Sequence, residues 1–181
     1  MRVFRPVMFS AWLILFAGPF TGCMTRPAID PKGLKGIVLD DLQGERKGPW
    51  LEVSPADVRH LGPGFLQDNN ANKGDVSIVY TPEIPETGDY NIILLSPPDD
   101  NRARNVPVTI IVQGSARLNL MVDQRNKTGK GFATLGTFRL PKGKLTSVTV
   151  SNSNTVGCVV ADGIQFVPVK RRSPAFGRQK K

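Results

Sequence analysis

Apolar residues come in short runs along this chain, and several runs alternate with polar residues at the two-residue period of a β-strand. Val76, Ile78 and Tyr80 share one face, as do Leu118, Leu120 and Val122, and again Val106, Val108, Ile110 and Val112. Three consecutive apolar residues, Ile93, Leu94 and Leu95, predict a strand covered on both faces. Strands are predicted over 36–40, 49–53, 76–81, 90–95, 106–112, 118–122, 134–140, 147–151, 158–161 and 164–167. Turn-forming residues separate them at Pro85-Glu86-Thr87-Gly88, Gln113-Gly114-Ser115, Pro141-Lys142-Gly143 and Asp162-Gly163. Only residues 56–60 offer a helical turn. Short strands at this spacing predict an all-β fold, an antiparallel β-sandwich.

Two connections carry more polar chemistry than a turn needs. Residues 59–75 form the largest irregular segment, and long loops inside a domain are more often functional or self-packed than idle. The second runs from Ser96 through Pro97 and Pro98 to Asn105 and feeds the strand at 106–112. Its prolines stiffen the start, and Asp99, Asp100, Asn101, Arg102, Arg104 and Asn105 then offer hydrogen-bonding groups at a point a rigid scaffold can hold.

The length, 181 residues, suits one domain with short appendages. The net charge of +9 suggests nucleic acid or a membrane until it is located. Two bases precede the apolar leader and six follow position 169, which leaves sixteen against fifteen acids in between. The basicity belongs to the ends, which argues against a basic-faced nucleic-acid domain. The tail from Lys170 to Lys181 reads either as a solvated segment or as one drawn to anionic lipid or envelope polymers.

The first 23 residues read as an export signal: Arg2 and Arg5, an apolar segment from Val7 to Phe16, then Gly18-Pro19. The apolar stretch falls short of the ~20 residues a spanning helix needs. Phe20-Thr21-Gly22-Cys23 resembles a bacterial lipobox, with Phe20 where an aliphatic residue is usual. Cys23 is the expected lipidation site, and diacylation there would anchor the protein stably. Residues 24–35, with Pro27, Pro31 and Gly33, are expected to form a tether. The expected organisation is leader 1–23, tether 24–35, sandwich 36–168 and basic tail 169–181.

The ordered blocks Ile37-Val38-Leu39-Asp40-Asp41, Gly48-Pro49-Trp50, Gly62-Pro63-Gly64-Phe65-Leu66-Gln67-Asp68 and Thr81-Pro82-Glu83-Ile84-Pro85-Glu86-Thr87-Gly88-Asp89-Tyr90 carry a family resemblance. Asn101-Arg102-Ala103-Arg104-Asn105-Val106-Pro107, Val122-Asp123-Gln124-Arg125, Leu135-Gly136-Thr137-Phe138 and Gly157-Cys158-Val159-Val160-Ala161-Asp162-Gly163 continue it. Together they resemble the golvesin/xanthan-lyase C-terminal domain family over roughly Gly36 to Pro168. The resemblance implies a galactose-binding-like jelly-roll sandwich with a carbohydrate-binding-like role, commonly appended to a larger exported enzyme. This chain departs from the pattern at Phe132, where tryptophan is frequent, and at Gly163, where alanine is usual.

Catalysis has little support. His60, the only histidine, lacks the context of a triad, and no GxSxG or phosphate-cradling motif occurs. Asp40-Asp41 and Asp99-Asp100 are paired carboxylates, but adjacent strand residues face opposite ways. Cys158, amid Val156-Gly157 and Val159-Val160-Ala161, reads as a buried thiol. No zinc-type spacing exists. No organic cofactor is expected. A structural calcium is the cofactor that jelly-roll carbohydrate modules suggest, with Asp40, Asp41, Asp68, Asn69 and Asp162 as oxygen donors; Asp162 equally suits a turn cap.

For carbohydrate, Asn101, Arg102, Arg104, Asn105, Gln124 and Arg125 supply hydrogen bonds, and the arginines would favour anionic sugars. Arg102 reads either as a ligand contact or as a clamp on its own loop. Trp50 is either a stacking platform or core filler. The expected function is non-catalytic polysaccharide binding by a lipid-anchored envelope protein. The alternative is an adaptor module for another exported protein.

Overall fold

Alternation along each strand decides which side chains reach the core, and twelve strands carry it in the computed structural model, which describes residues 28–115 and 117–170. They are β1 (Ile37–Asp40), β2 (Glu45–Lys47), β3 (Leu51–Val53), β4 (Phe65–Gln67), β5 (Ser77–Tyr80) and β6 (Gly88–Leu95). Then come β7 (Val106–Val112), β8 (Arg117–Val122), β9 (Phe132–Leu140), β10 (Thr146–Ser151), β11 (Val160–Ala161) and β12 (Gly163–Pro168). The expected leader with Cys23, and the basic tail beyond Lys170, lie outside the described residues.

Two antiparallel sheets form the sandwich. One runs β1-β12-β6-β9, the other β2-β5-β10-β7-β8, and a third, β11-β4-β3, closes one side. Ile92, Leu94, Ile164 and Phe166 from the first sheet meet Ile78, Tyr80, Val108, Ile110, Val148 and Val150 from the second in one buried cluster. Phe65, Cys158 and Val160 make a smaller cluster beneath the third sheet. Val106, Val108, Ile110 and Val112 all point inward, as their spacing predicts, and Cys158 is a buried free thiol.

The third sheet is where periodicity gave too little. β4 lies inside the segment predicted as irregular, because three residues are too few to establish a period. β2 reads as a charged run, Glu45-Arg46-Lys47, and sits at a sheet edge where one face is wet. Residues 56–60 form no helix; the single-turn 3-10 helices are Pro31–Gly33 and Asp41–Gln43, each started by a capping aspartate, Asp30 and Asp40.

The described part of the expected tether, residues 28–35, packs on the domain. Ile29 bridges Leu61, its amide donating to the His60 carbonyl and its carbonyl accepting from Gly62. Farther along, the Lys35 carbonyl accepts from the Gln165 amide. Residues 28–35 are therefore stitched onto the domain. The departure at position 163 also has a packing reason. A Cβ there would lie 2.5 Å from the Leu61 Cδ2 and 2.7 Å from the Leu39 carbonyl oxygen.

Candidate functional site

The loop from Pro97 to Asn105 is held by the very side chains that sequence reading offered to a ligand. Arg102 is 5% exposed. Its Nε donates to the Pro97 carbonyl and its Nη1 to Gln67 Oε1, each at 3.4 Å, and its guanidinium lies 5.7 Å from the Phe65 ring centroid. Arg102 is thus the loop clamp. Arg125 Nε donates to the Arg102 carbonyl. Gln124 is buried and spends both ends of its amide on the Val160 backbone. The Asn105 side chain donates to the Asn154 carbonyl and accepts from the Val156 amide. Trp50 is half-buried against the core with its Nε1 on the Ser77 carbonyl. Arg102, Asn105, Gln124, Arg125 and Trp50 each have an internal hydrogen-bond partner, and Gln124 also lines the cleft described below. Asn101 and Arg104 remain exposed on this loop.

A second polar hub lies alongside. Asn152 is fully buried; its Nδ2 donates to Asp68, Ala71 and Asn72, while its Oδ1 accepts from the Gly74 and Val76 amides. The wrapped loop holds Asn69, Asn70 and Asn72 at φ of 49°, 55° and 49°, a left-handed conformation that asparagine tolerates.

The proposed calcium donors do not form one set. Asp68 accepts from Lys73 Nζ at 2.6 Å and from the Val159, Asn152 and Asn70 amides. Burial works to raise its carboxyl, but these donors outweigh it and hold the group below the usual range. A carboxylate so saturated with donors has no lone pairs left for a cation. Asn69 is exposed beside it. Asp40, Asp41 and Asp162 cluster elsewhere, at the β1–β12 end. Burial, then the Asp40 charge, pushes Asp41 up to about 7; burial pushes Asp162 up to about 8, against the opposing Leu61 amide. Among the described residues no three acidic, histidine or cysteine side chains are placed to hold a metal ion. The saturated Asp68 and the separate placement of the other acids do not fit the predicted five-residue calcium set.

An open cleft of about 300 Å³ lies where β6 ends, β8 ends and β9 begins. Phe132, Ala133 and Met121 supply apolar surface, and Met121 is 70% exposed. Ser96, Asp123, Asn126 and Thr134 supply polar groups. Glycines 129 and 131 keep the floor low; Gly131 takes φ of 92° and its amide neighbourhood closes on Ser96, whose amide donates to the Gly131 carbonyl. An aromatic wall with hydroxyl, carboxamide and carboxylate groups around it suits a sugar ring, which needs stacking and directed hydrogen bonds together. Of the lining residues the sequence singled out Gln124, as a hydrogen-bonding candidate, and Phe132, as a departure from the family pattern. The stretch Asn126-Lys127-Thr128-Gly129-Lys130-Gly131 carried the signal, a glycine-rich polar loop between strands.

The Golvesin C-terminal domain family matches residues 37–168. The chain belongs to that family. The xanthan lyase of Bacillus sp. (strain GL1) is 33% identical over 153 residues, covering 80% of this chain and 16% of the lyase. This family member thus spans a small part of that relative's length. Among solved structures, Paenibacillus xanthan lyase superposes with a TM-score of 0.67 at 28% identity, over 74% of this chain and 13% of that one. A family 35 carbohydrate binding module from Clostridium thermocellum shares the fold, with a TM-score of 0.50 at 12% identity, covering 72% of this chain and 98% of the module. So does an exo-beta-1,3-galactanase from Phanerochaete chrysosporium, with a TM-score of 0.51 at 18% identity over 74% and 29% of the two chains. The architecture is a galactose-binding-like jelly-roll sandwich.

Proposed function

We propose that this protein is a non-catalytic polysaccharide-binding domain, exported and held at a bacterial envelope membrane through acylated Cys23. The cleft walled by Phe132 and Met121 carries this reading, because it joins an aromatic face to several polar groups on a fold shared with a carbohydrate binding module. Two of the arginines that favoured an anionic sugar, Arg102 and Arg125, are engaged in the loop. Arg104 is exposed but does not line the cleft, and the cleft lining has Asp123 as its charged group. A neutral glycan is the better match. The absence of catalysis is supported by the placement of the paired acids. Asp40 and Asp41 are buried, and Asp100 is exposed in an ion pair with Lys127.

Affinity electrophoresis against neutral and acidic polysaccharides tests the binding. Retardation by a neutral polymer, lost in Phe132→Ala and Asn126→Ala proteins of unchanged melting temperature, is the expected result. Folded protein that no polysaccharide retards would dismiss it. Acyl labelling tests the anchor: Cys23→Ser should abolish label and release the protein from membrane fractions.

One observation favours an adaptor role as second reading. The open edge strand β8 exposes Met121, on the face that Ile111 of its neighbour β7 shares, and Leu118 on the opposite face. A stoichiometric protein partner captured regardless of added sugar would favour it.

A further inference from the structure

β8 ends the five-stranded sheet on one side and pairs only with β7. Pro107 fixes which of its backbone groups are free. Proline has no amide to donate, the β7–β10 ladder stops at Val108, and Pro107 stands opposite Met121. Pro107 therefore turns its backbone toward β10, and the pairs that exchange hydrogen bonds with β8 are Val106–Val122, Val108–Leu120 and Ile110–Leu118. The amides and carbonyls of Arg117, Asn119 and Met121 point out from the sheet. Among the described residues no hydrogen bond reaches them.

Nothing in the strand blunts this edge. From Leu118 to Val122 it has no charge, no proline and no bulge, the features that keep exposed edges from pairing. Leu118 and Met121 are 38% and 70% exposed, and Leu120 is half-buried. The strand also complements itself. Two copies pairing edge to edge in antiparallel must match outward groups with outward groups, so odd-numbered residues face odd-numbered ones. A two-fold axis through Leu120 sets Asn119 against the partner's Met121, Leu118 against the partner's Val122 and Arg117 against the partner's Asp123. Residues 117–123 carry one charge of each sign, at the two ends, so both ends of the pairing join opposite charges. Among the described residues neither Arg117 nor Asp123 has an ion pair, and Arg125 is turned to the Arg102 carbonyl. An axis through Asn119 or Met121 separates both charged pairs.

We infer that the occupant of the β8 edge is a second copy of this chain, paired antiparallel about Leu120, so that two five-stranded sheets join into one. The interface is isologous and closes with two copies. Because Met121 and Asp123 line the open cleft, the partner's Asn119 and Arg117 come to its rim, and the partner's Arg117 offsets the charge of Asp123. The pairing depends on the edge alone, whether or not the cleft takes a glycan.

Sedimentation velocity of the full chain carrying Cys23→Ser, diluted from millimolar to micromolar, should show a monomer–dimer equilibrium. Arg117→Asp sets like charges opposite each other at both ends and should weaken the dimer at least about tenfold. Adding Asp123→Arg to it should restore the affinity. Asn119→Pro removes an amide that points away from β7, and should abolish the dimer while the dilute protein keeps its melting temperature. If that variant does not fold, the charge swap decides alone. Under mild oxidation Leu120→Cys, at the axis, should yield a disulfide-linked dimer and Leu118→Cys should not. A chain that stays monomeric throughout would overturn the inference and leave the edge to another protein. So would a dimer that Arg117→Asp and Asn119→Pro leave unchanged, or one that Leu118→Cys links as readily as Leu120→Cys.

Discussion

Both carboxylate oxygens of Asp162 lie 3.0 Å from the Leu61 amide nitrogen, joining residues 101 positions apart in the sequence. Asp41 lies close by, and its amide donates to the Asp162 carbonyl. An unfolded aspartate ionises near pH ~4, whereas folded Asp41 and Asp162 keep their protons up to about 7 and about 8. Across that window the folded state binds more protons than the unfolded one. Its stability is greatest at the acid side, falls as pH rises from about 4 to about 8, and levels off above. Thermal melting between pH 5 and 8 should show the melting temperature falling with pH, with a shallower slope in Asp162→Asn. A melting temperature that rises with pH over this range would contradict the buried protons.

Calcium should not matter to folding. Because Asp68 is saturated by Lys73 and three amide donors, the melting temperature at neutral pH is expected to be the same in millimolar calcium and in EDTA. A calcium-dependent rise would place a cation among Asp40, Asp41 and Asp162 instead of protons.

Asn152→Ala should be among the most damaging single changes. It strands the Gly74 and Val76 amides and frees the loop whose carbonyls it holds. Each buried group left unsatisfied costs about 1–3 kcal/mol, so a loss of about 3 kcal/mol or more is expected in urea unfolding. Proteolytic cleavage within 69–75 should appear at the same time.

Arg102→Met keeps much of the side-chain volume but removes the bonds to Pro97 and Gln67 and the contact over Phe65. It should cost about 2–3 kcal/mol of stability. Well below the transition, the variant should still be retarded by polysaccharide as the parent is. Lost retardation in the folded variant would return Arg102 to the ligand site.

Phe132→Trp tests the cleft from the opposite direction. Position 132 is half-buried on the cleft wall, and an indole offers a larger stacking face than a phenyl ring. A gain of about 1 kcal/mol, roughly fivefold in affinity, is expected by isothermal titration with the bound oligosaccharide. Unchanged affinity would move the sugar away from this wall.

The sandwich was legible because its two large sheets bury one face each, and that writes a two-residue period into β5, β7 and β10. Of the third sheet, β3 and β11 fall within predicted strands but β4 does not, since three residues are too few to display a period and it is fixed by long-range pairing, Leu66 with Ala161 for one. The site was harder still. A polar residue on a loop looks the same in sequence whether it faces solvent or its own backbone. Arg102 turns back onto the Pro97 carbonyl of its own loop, while Gln124 holds the Val160 backbone and Asn105 holds the Asn154 carbonyl and the Val156 amide. The cleft draws instead on Ser96, Met121 and Phe132, which three separate strand ends bring together.

The chain joins the domain at the Gly163 end of β12 and leaves it past Pro168, with β12 running between β1 and β6. Tension between a membrane anchor and a load on the tail would therefore run along β12. Its ladder bonds to both neighbours would be strained in shear, all together, not peeled one at a time.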